Sequence, residues 1–220
     1  MTPLGNPGLF GKGGLRKNVG EQGEKQSGFP ARGHPLALPK VRDRDQPMSE
    51  DNIYVIGDIH GCLAPLKRLL EHLEPDLHQD RLLFVGDYID RGPDSRGVVD
   101  YILALKTRYP AENIICLKGN HEVMFLDFLE GKDRQLFLFN GGRNTIENYW
   151  GEGWREEDNL RLPLDHERFY RGLLPFYATS DYVFVHGGLK PGIPLDQQVD
   201  GDLYWIRGGS SPPPRILGAR

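Results

Sequence analysis

Four short glycine-containing strings, each delivered by an apolar run, limit what this chain can fold into more than any other feature. They are Gly57-Asp58-Ile59-His60-Gly61, Gly86-Asp87-Tyr88-Ile89-Asp90-Arg91-Gly92, Gly119-Asn120-His121-Glu122 and His186-Gly187-Gly188. The runs ahead of them are Ile53-Tyr54-Val55-Ile56, Leu82-Leu83-Phe84-Val85, Ile114-Ile115-Cys116-Leu117 and Tyr182-Val183-Phe184-Val185. Short apolar runs of β-branched and aromatic residues that stop at glycine read as buried strands ending in turns. The strings therefore gather at strand ends, where α/β folds place their sites. Leu63, Leu66, Leu69, Leu70 and Leu73 mark one helical face between the first two strings, with Pro65 tolerated in the first turn. Val98, Val99, Ile102 and Leu105 mark another before the third. Strand, helix, strand order predicts an α/β fold.

The polar residues in these strings share one chemistry. In Asp58-x-His60, side chains two apart lie on the same side of an extended backbone, so a carboxylate and an imidazole can reach one cation. Asp87, Asn120 and His186 bring further donors from the other strand ends. Mixed oxygen and nitrogen donors without thiolate suit divalent manganese, iron or zinc. A carboxylate such as Asp87 can bridge two cations, and such a pair clamps the attacking and leaving oxygens of a displacement at phosphorus. Arg91 offers a bidentate donor pair to phosphate oxygens, which lysine cannot imitate. His121 is placed to protonate a leaving alkoxide as general acid. A carboxylate partner would raise its pKa and fix its tautomer, and Asp90 is the candidate. The pattern implies hydrolysis of a phosphoester with two metal ions.

These strings resemble the phosphoprotein phosphatase family of the calcineurin-like metallophosphoesterases, whose pattern runs GDxHG, GDxxDRG, GNH[ED] and then HGG or HAG. The likeness spans Ile53 to Arg207. It implies a calcineurin-like β-sandwich flanked by helices. It further implies two divalent ions, manganese first and iron or zinc as alternatives, with Asp58, His60 and Asp87 on one and Asp87, Asn120 and His186 on the other. Arg91 and Asn120 would then contact substrate phosphate, and His121 would act as acid with Asp90 as partner. Some members carry a second phosphate-binding arginine after a tryptophan, which Trp205-Ile206-Arg207 resembles.

The resemblance also bears on substrate. Diadenosine tetraphosphatases of the same superfamily typically show Ala-Arg-Gly in the second string and end the third in Asp, so Asp90 and Glu122 favour the bacterial serine/threonine protein phosphatase branch. The expected reaction is hydrolysis of phosphoserine or phosphothreonine in a protein or peptide by a hydroxide that the two ions activate. A dinucleoside polyphosphate hydrolase is the enzymatic alternative. The family supplies a late histidine to the second ion, and no histidine follows His186. An inactive or weakly active phosphate-binding fragment, with closing strands missing, is therefore the third reading.

Composition divides the chain. Residues 1–47 hold nine Gly and six Pro with a net charge of +4, which leaves −8 for the remainder of a chain whose total is −4. An acidic body argues against nonspecific nucleic-acid binding. The basic head has no apolar periodicity to offset ordering entropy, so it is expected to be disordered. Deleting residues 1–47 is expected to leave the melting temperature unchanged in a thermal melt. Met48 is read as the native start, 48–207 as the metallophosphoesterase domain, and 208–220, rich in Gly, Ser and Pro, as a non-native tail. No apolar run approaches the roughly 18 residues of a membrane span. Two cysteines, Cys62 and Cys116, give no disulfide framework and fit a cytoplasmic protein.

Residues 123–172 break the strand-helix rhythm with Phe125, Phe128, Phe137, Phe139, Tyr149, Trp150 and Trp154. This helical, loop-rich insert is read as core for a helix facing the sheet, with a lid over the cleft as the lesser reading. Asn140-Gly141-Gly142-Arg143-Asn144 reads as a turn entering a helix, and secondarily as a polar contact with substrate. His166 is the one spare histidine placed to approach the site, though it lacks the strand-end context of the others.

Overall fold

The computed structural model describes residues 52–155, 158 and 160–207. The expected disordered head, the start at Met48, the tail at 208–220 and the missing closing strands fall outside the described residues.

Strands β1 (Ile53–Ile56), β2 (Arg81–Phe84) and β3 (Ile114–Cys116) form a parallel sheet in the order β1-β2-β3. Ile53 pairs with Arg81 and Leu82 with Ile114. The central strand shows why its sequence is apolar without interruption: Leu82, Leu83 and Phe84 are fully buried, as expected of a parallel strand covered on both faces. Two helices make the crossovers, α1 (Leu63–Leu73) and α2 (Ser95–Arg108). Asp94 caps α2 by accepting the Gly97 N–H at 2.9 Å. Leu66 and Leu70 of α1 are buried and Leu63 and Leu73 pack against the same core. Leu69, expected on that face, is 41% exposed because it lies at the edge of the stripe.

Strand alternation sorts the sheet's side chains into two layers. Leu82, Phe84, Ile114 and Cys116 join the helix-side core, whereas Leu83, Ile115 and Leu117 face the other way. There they meet Tyr177 and Phe184 from β4 (Phe176–Ala178) and β5 (Val183–Val185), an antiparallel pair. The described sandwich is thus a three-stranded sheet with helices on one face and a two-stranded sheet on the other. The layering is that of the α/β sandwich expected from sequence.

The segment after the third string folds as α3 (Asn120–Leu129), α4 (Arg134–Phe137), a π turn at Leu138–Gly142, α5 (Arg143–Trp150) and α6 (Leu164–Arg171). Phe125, Phe128 and Phe137 are buried together, with Phe137 ring centroids 5.3 and 5.1 Å from the other two. Phe139 departs from the core reading and is 91% exposed. The π turn and Gly141, at φ +96°, break the helical register there and leave Phe139 outside. His166 is also accounted for away from the strand ends: it is buried, with Nδ1 2.7 Å from the Tyr149 hydroxyl and Nε2 2.9 Å from Asp100. It ties α6 to α5 and α2. A last helix, α7 (Asp200–Trp205), follows β5. Among the described residues, no helix is long and apolar enough to cross a membrane.

Candidate metal centre

The loops leaving β1 and β2 are stitched together through backbone. Ile59 and His60 both donate their N–H to the Asp87 carbonyl at 2.9 Å, and Gly61 donates to the Tyr88 carbonyl at 2.8 Å. His60 has φ +45°, so Asp58 and His60 approach each other through a turn and not through strand alternation. The pair forms as expected but by this turn, with Asp58 Oδ2 and His60 Nε2 3.9 Å apart. Asp87 at φ +53°, Asp90 at +71° and Arg91 at +65° share the left-handed region. Such non-glycine residues are strained and persist where surrounding bonds hold them.

Asp87 is 2% exposed and its two oxygens point in different directions. Oδ2 lies 3.6 Å from His60 Nε2, and Oδ1 lies 3.5 Å from His186 Nε2. Two groups of donor atoms result, one of His60, Asp87 and His121 and the other of Asp58, Asp87 and His186. Within each group the atoms lie within 4.8 Å of one another. The membership differs from the expected one: Asp58 stands with His186 as well as beside His60, and His121 enters the first group.

Tautomers test whether these residues suit a cation. His60 Nδ1 is 2.8 Å from the Ile89 carbonyl and His186 Nδ1 is 2.9 Å from the Val85 carbonyl. A carbonyl only accepts, so each Nδ1 carries the proton and each Nε2 presents a lone pair. Histidines that ligate metals are held in this way. At 2.9 Å from His186 Nε2 sits Asn120 Oδ1, a second lone-pair donor. An imidazole nitrogen and an amide oxygen side by side are the donor types that a divalent ion accepts, so the donor set fits such an ion.

Arg91 faces the same space. Its Nη1 donates to His60 Nε2 at 2.9 Å and its Nη2 to His121 Nε2 at 3.0 Å. The insert holds its backbone: Arg91 N–H donates to the Gly141 carbonyl at 3.2 Å, and Asn144 Nδ2 donates to the Arg91 carbonyl at 2.7 Å. Residues Asn140 to Asn144 therefore enter α5 and support the arginine's loop. Arg207 is exposed at the last described position, and no hydrogen bond or ion pair among the described residues joins it to this group.

His121 is fully buried and its Nδ1 lies 2.6 Å from Asp90 Oδ2. Burial raises the Asp90 pKa above the usual carboxylate range, outweighing the opposing bonds from His121 and Thr145. Thr145 was not found by reading the sequence. Its hydroxyl donates to Asp90 Oδ1 at 2.6 Å and accepts the Asp90 N–H at 2.9 Å, and Ser95 Oγ accepts that N–H at 3.0 Å. Nothing local marks a threonine 55 residues from its partner. Glu122 and Tyr88 were also missed in these roles. Tyr88 donates its hydroxyl to the Leu117 carbonyl at 2.8 Å, and Glu122 accepts N–H groups from the loops on either side. For Glu122 there was a signal, because an acidic residue three positions into a helix commonly bonds the backbone at the helix start. Thr145→Val is expected to lower stability by about 1–3 kcal/mol, the cost of leaving a buried polar group unpaired, as measured by urea unfolding.

A model described as calcineurin-like phosphoesterase matches residues 52–215. The chain belongs to that family. A symmetrical bis(5'-nucleosyl)-tetraphosphatase of Pseudomonas syringae pv. syringae is 40% identical over 139 residues, 63% of this chain and 42% of the relative. The like-named protein of Pseudomonas syringae pv. tomato is 42% identical over 139 residues, covering 63% and 41%. Serine/threonine-protein phosphatase 1 of Salmonella typhimurium is 41% identical over 91 residues, covering 41% of this chain and 39% of its own. This calcineurin-like phosphoesterase spans less than half the length of each of these relatives. A solved structure titled as a putative diadenosine tetraphosphatase has the same fold, with TM-score 0.52, 24% identity, and coverage of 72% of this chain and 60% of that one. The preference for the protein phosphatase branch drawn from Asp90 and Glu122 thus meets relatives of both kinds, with the tetraphosphatases matching over the longer span.

Proposed function

We propose that this calcineurin-like phosphoesterase hydrolyses a phosphoanhydride bond in a dinucleoside tetraphosphate, releasing two nucleoside diphosphates. The observation that supports phosphoryl chemistry is Asp87, whose oxygens are divided between two donor groups with the Arg91 guanidinium beside them. The dinucleotide is supported by the tetraphosphatase relatives at 40% and 42% identity. Two divalent ions, when bound, activate water near neutral pH and neutralise charge at phosphorus. Asp58, His60, Asp87, Asn120 and His186 would hold them, and the donor set suits manganese, iron or zinc. Arg91 would orient the phosphoryl oxygens through its planar fork. Once Arg91 turns from His121 Nε2 to the phosphoryl oxygens, that nitrogen would be free to hold a proton for the leaving oxygen, with Asp90 stabilising the imidazolium through Nδ1–H.

A second reading has an observation of its own. The 2.6 Å contact between His121 and Asp90 supports an imidazole oriented to deliver a proton to an alkoxide, which a phosphoserine or phosphothreonine requires and a nucleoside diphosphate does not. A paired assay with Mn2+ separates the two. Diadenosine tetraphosphate is expected to give ADP as sole nucleotide product, at a higher kcat/KM than release of inorganic phosphate from a phosphoserine peptide. A preference for the peptide of tenfold or more would replace the first reading by the second, and turnover of neither would overturn both.

A further inference from the structure

We infer that Glu122 is a positioning residue, a buried carboxylate clamp that fixes the backbone of Asp87 and thereby sets the metal-binding geometry. Its Oε2 accepts the Asp87 N–H at 2.9 Å and the Gly119 N–H at 3.0 Å, and its Oε1 accepts the Tyr88 N–H at 2.9 Å. One side chain thus joins the loop after β2 to the loop after β3. The clamp acts where the chain needs it. Asp87 is a non-glycine residue in the left-handed region, a conformation that reverts unless its neighbours over-determine it. Its carboxylate is placed from the same helix start, because the His121 N–H donates to Oδ1 at 3.1 Å. Its carbonyl in turn accepts the N–H groups of Ile59 and His60, so a shift of the Asp87 peptide carries His60 with it.

Packing alone gives no reason for a carboxylate at this position. Glu122 is 0% exposed beside the nearly buried Asp87, and burying one acid next to another is unfavourable unless donors compensate. An apolar side chain would fill the space and leave three buried N–H groups without partners. The backbones also approach too closely for adjustment: a Cβ on Gly86 would strike Gly119, and one on Gly119 would strike Asp87. The loops can meet only as they do, and Glu122 supplies the acceptors between them.

The inference rests on the ion-binding reading above, and the experiment keeps the two apart. The full chain and Glu122→Gln, Glu122→Asp and Asp80→Asn are titrated with Mn2+ by calorimetry and assayed at saturating Mn2+. Glutamine has the same shape but turns one acceptor into a donor facing an N–H. Outer partners of metal ligands typically change affinity about 10- to 100-fold, so Glu122→Gln is expected to weaken Mn2+ at least about tenfold and to lower kcat with KM within about twofold. KM is spared because Arg91 is held by Gly141 and Asn144, outside the clamp. Glu122→Asp keeps the carboxylate and is expected to recover most of the Mn2+ affinity. Asp80 is the control for a purely structural carboxylate. It is buried ahead of β2 and accepts the N–H groups of Asn52 and Asp76 at 3.1 and 2.9 Å, so Asp80→Asn should reduce melting temperature and leave the Mn2+ titration unchanged. A folded Glu122→Gln with wild-type Mn2+ affinity, or a loss matched by Asp80→Asn, overturns the inference. If Glu122→Gln does not fold, or if the wild-type chain takes up no Mn2+, amide exchange of the wild-type chain decides. Amides of Asp87, Tyr88 and Gly119 protected like those of β2 support the clamp, and exchange at the rate of an exposed loop overturns it. Absence of Mn2+ uptake by the wild-type chain counts against the ion-binding reading alone.

Discussion

Asp87→Asn is expected to abolish hydrolysis and the binding of both ions, the largest effect of any single substitution in this chain. Asp87 Oδ2 faces His60 and Oδ1 faces His186, so each donor group draws on the same carboxylate. Asparagine keeps the shape, but it removes the negative charge and turns one acceptor into a donor aimed at a cation. No other described residue stands in both groups. The measurement is Mn2+ binding by calorimetry beside turnover of diadenosine tetraphosphate. Retention of one tightly held ion in the variant would show that the two groups do not share this residue.

His121→Asn is expected to spare ion binding and to slow turnover according to the leaving group. General acid assistance is worth typically about 10²- to 10⁴-fold, and it matters most for the least acidic leaving groups. A phosphoserine peptide should therefore lose the most, with an aryl phosphate and a dinucleoside tetraphosphate losing much less. Asp90→Asn should show the same ranking in milder form, because Asp90 acts on substrate only through His121 Nδ1. Equal losses across the three substrates would remove His121 from the acid role. Loss of bound Mn2+ would instead assign His121 to the donor group that it shares with His60 and Asp87.

Much of the fold was legible because its signals are local. Apolar runs of four residues at or next to a glycine mark the three parallel strands, and the leucine spacing marks α1. The same strings name Asp58, His60, Asp87, Asn120 and His121, since the ends of neighbouring parallel strands lie side by side; His186 follows β5 of the second sheet, and only the packing of the two sheets brings it to them. Sequence periodicity failed where the backbone leaves regular structure. Asp58 and His60 converge through a left-handed turn, and apolar spacing places the exposed Phe139 in the core because a π turn leaves no trace in that spacing.

The sequence by itself determined which chemical groups the sheet ends carry, because residue type and strand order are written along the chain. Only the tertiary structure decided how those groups are oriented and charged. The His60 and His186 tautomers depend on carbonyls 29 and 101 residues away, those of Ile89 and Val85. Asp90 owes much of its environment to Thr145, 55 residues along the chain, which reaches it when α5 folds back over the loop after β2. Hydrogen bonds act over about 3 Å whatever the separation along the chain. The partners that set a proton's position are therefore chosen by packing, and packing of distant segments has no local signature to read.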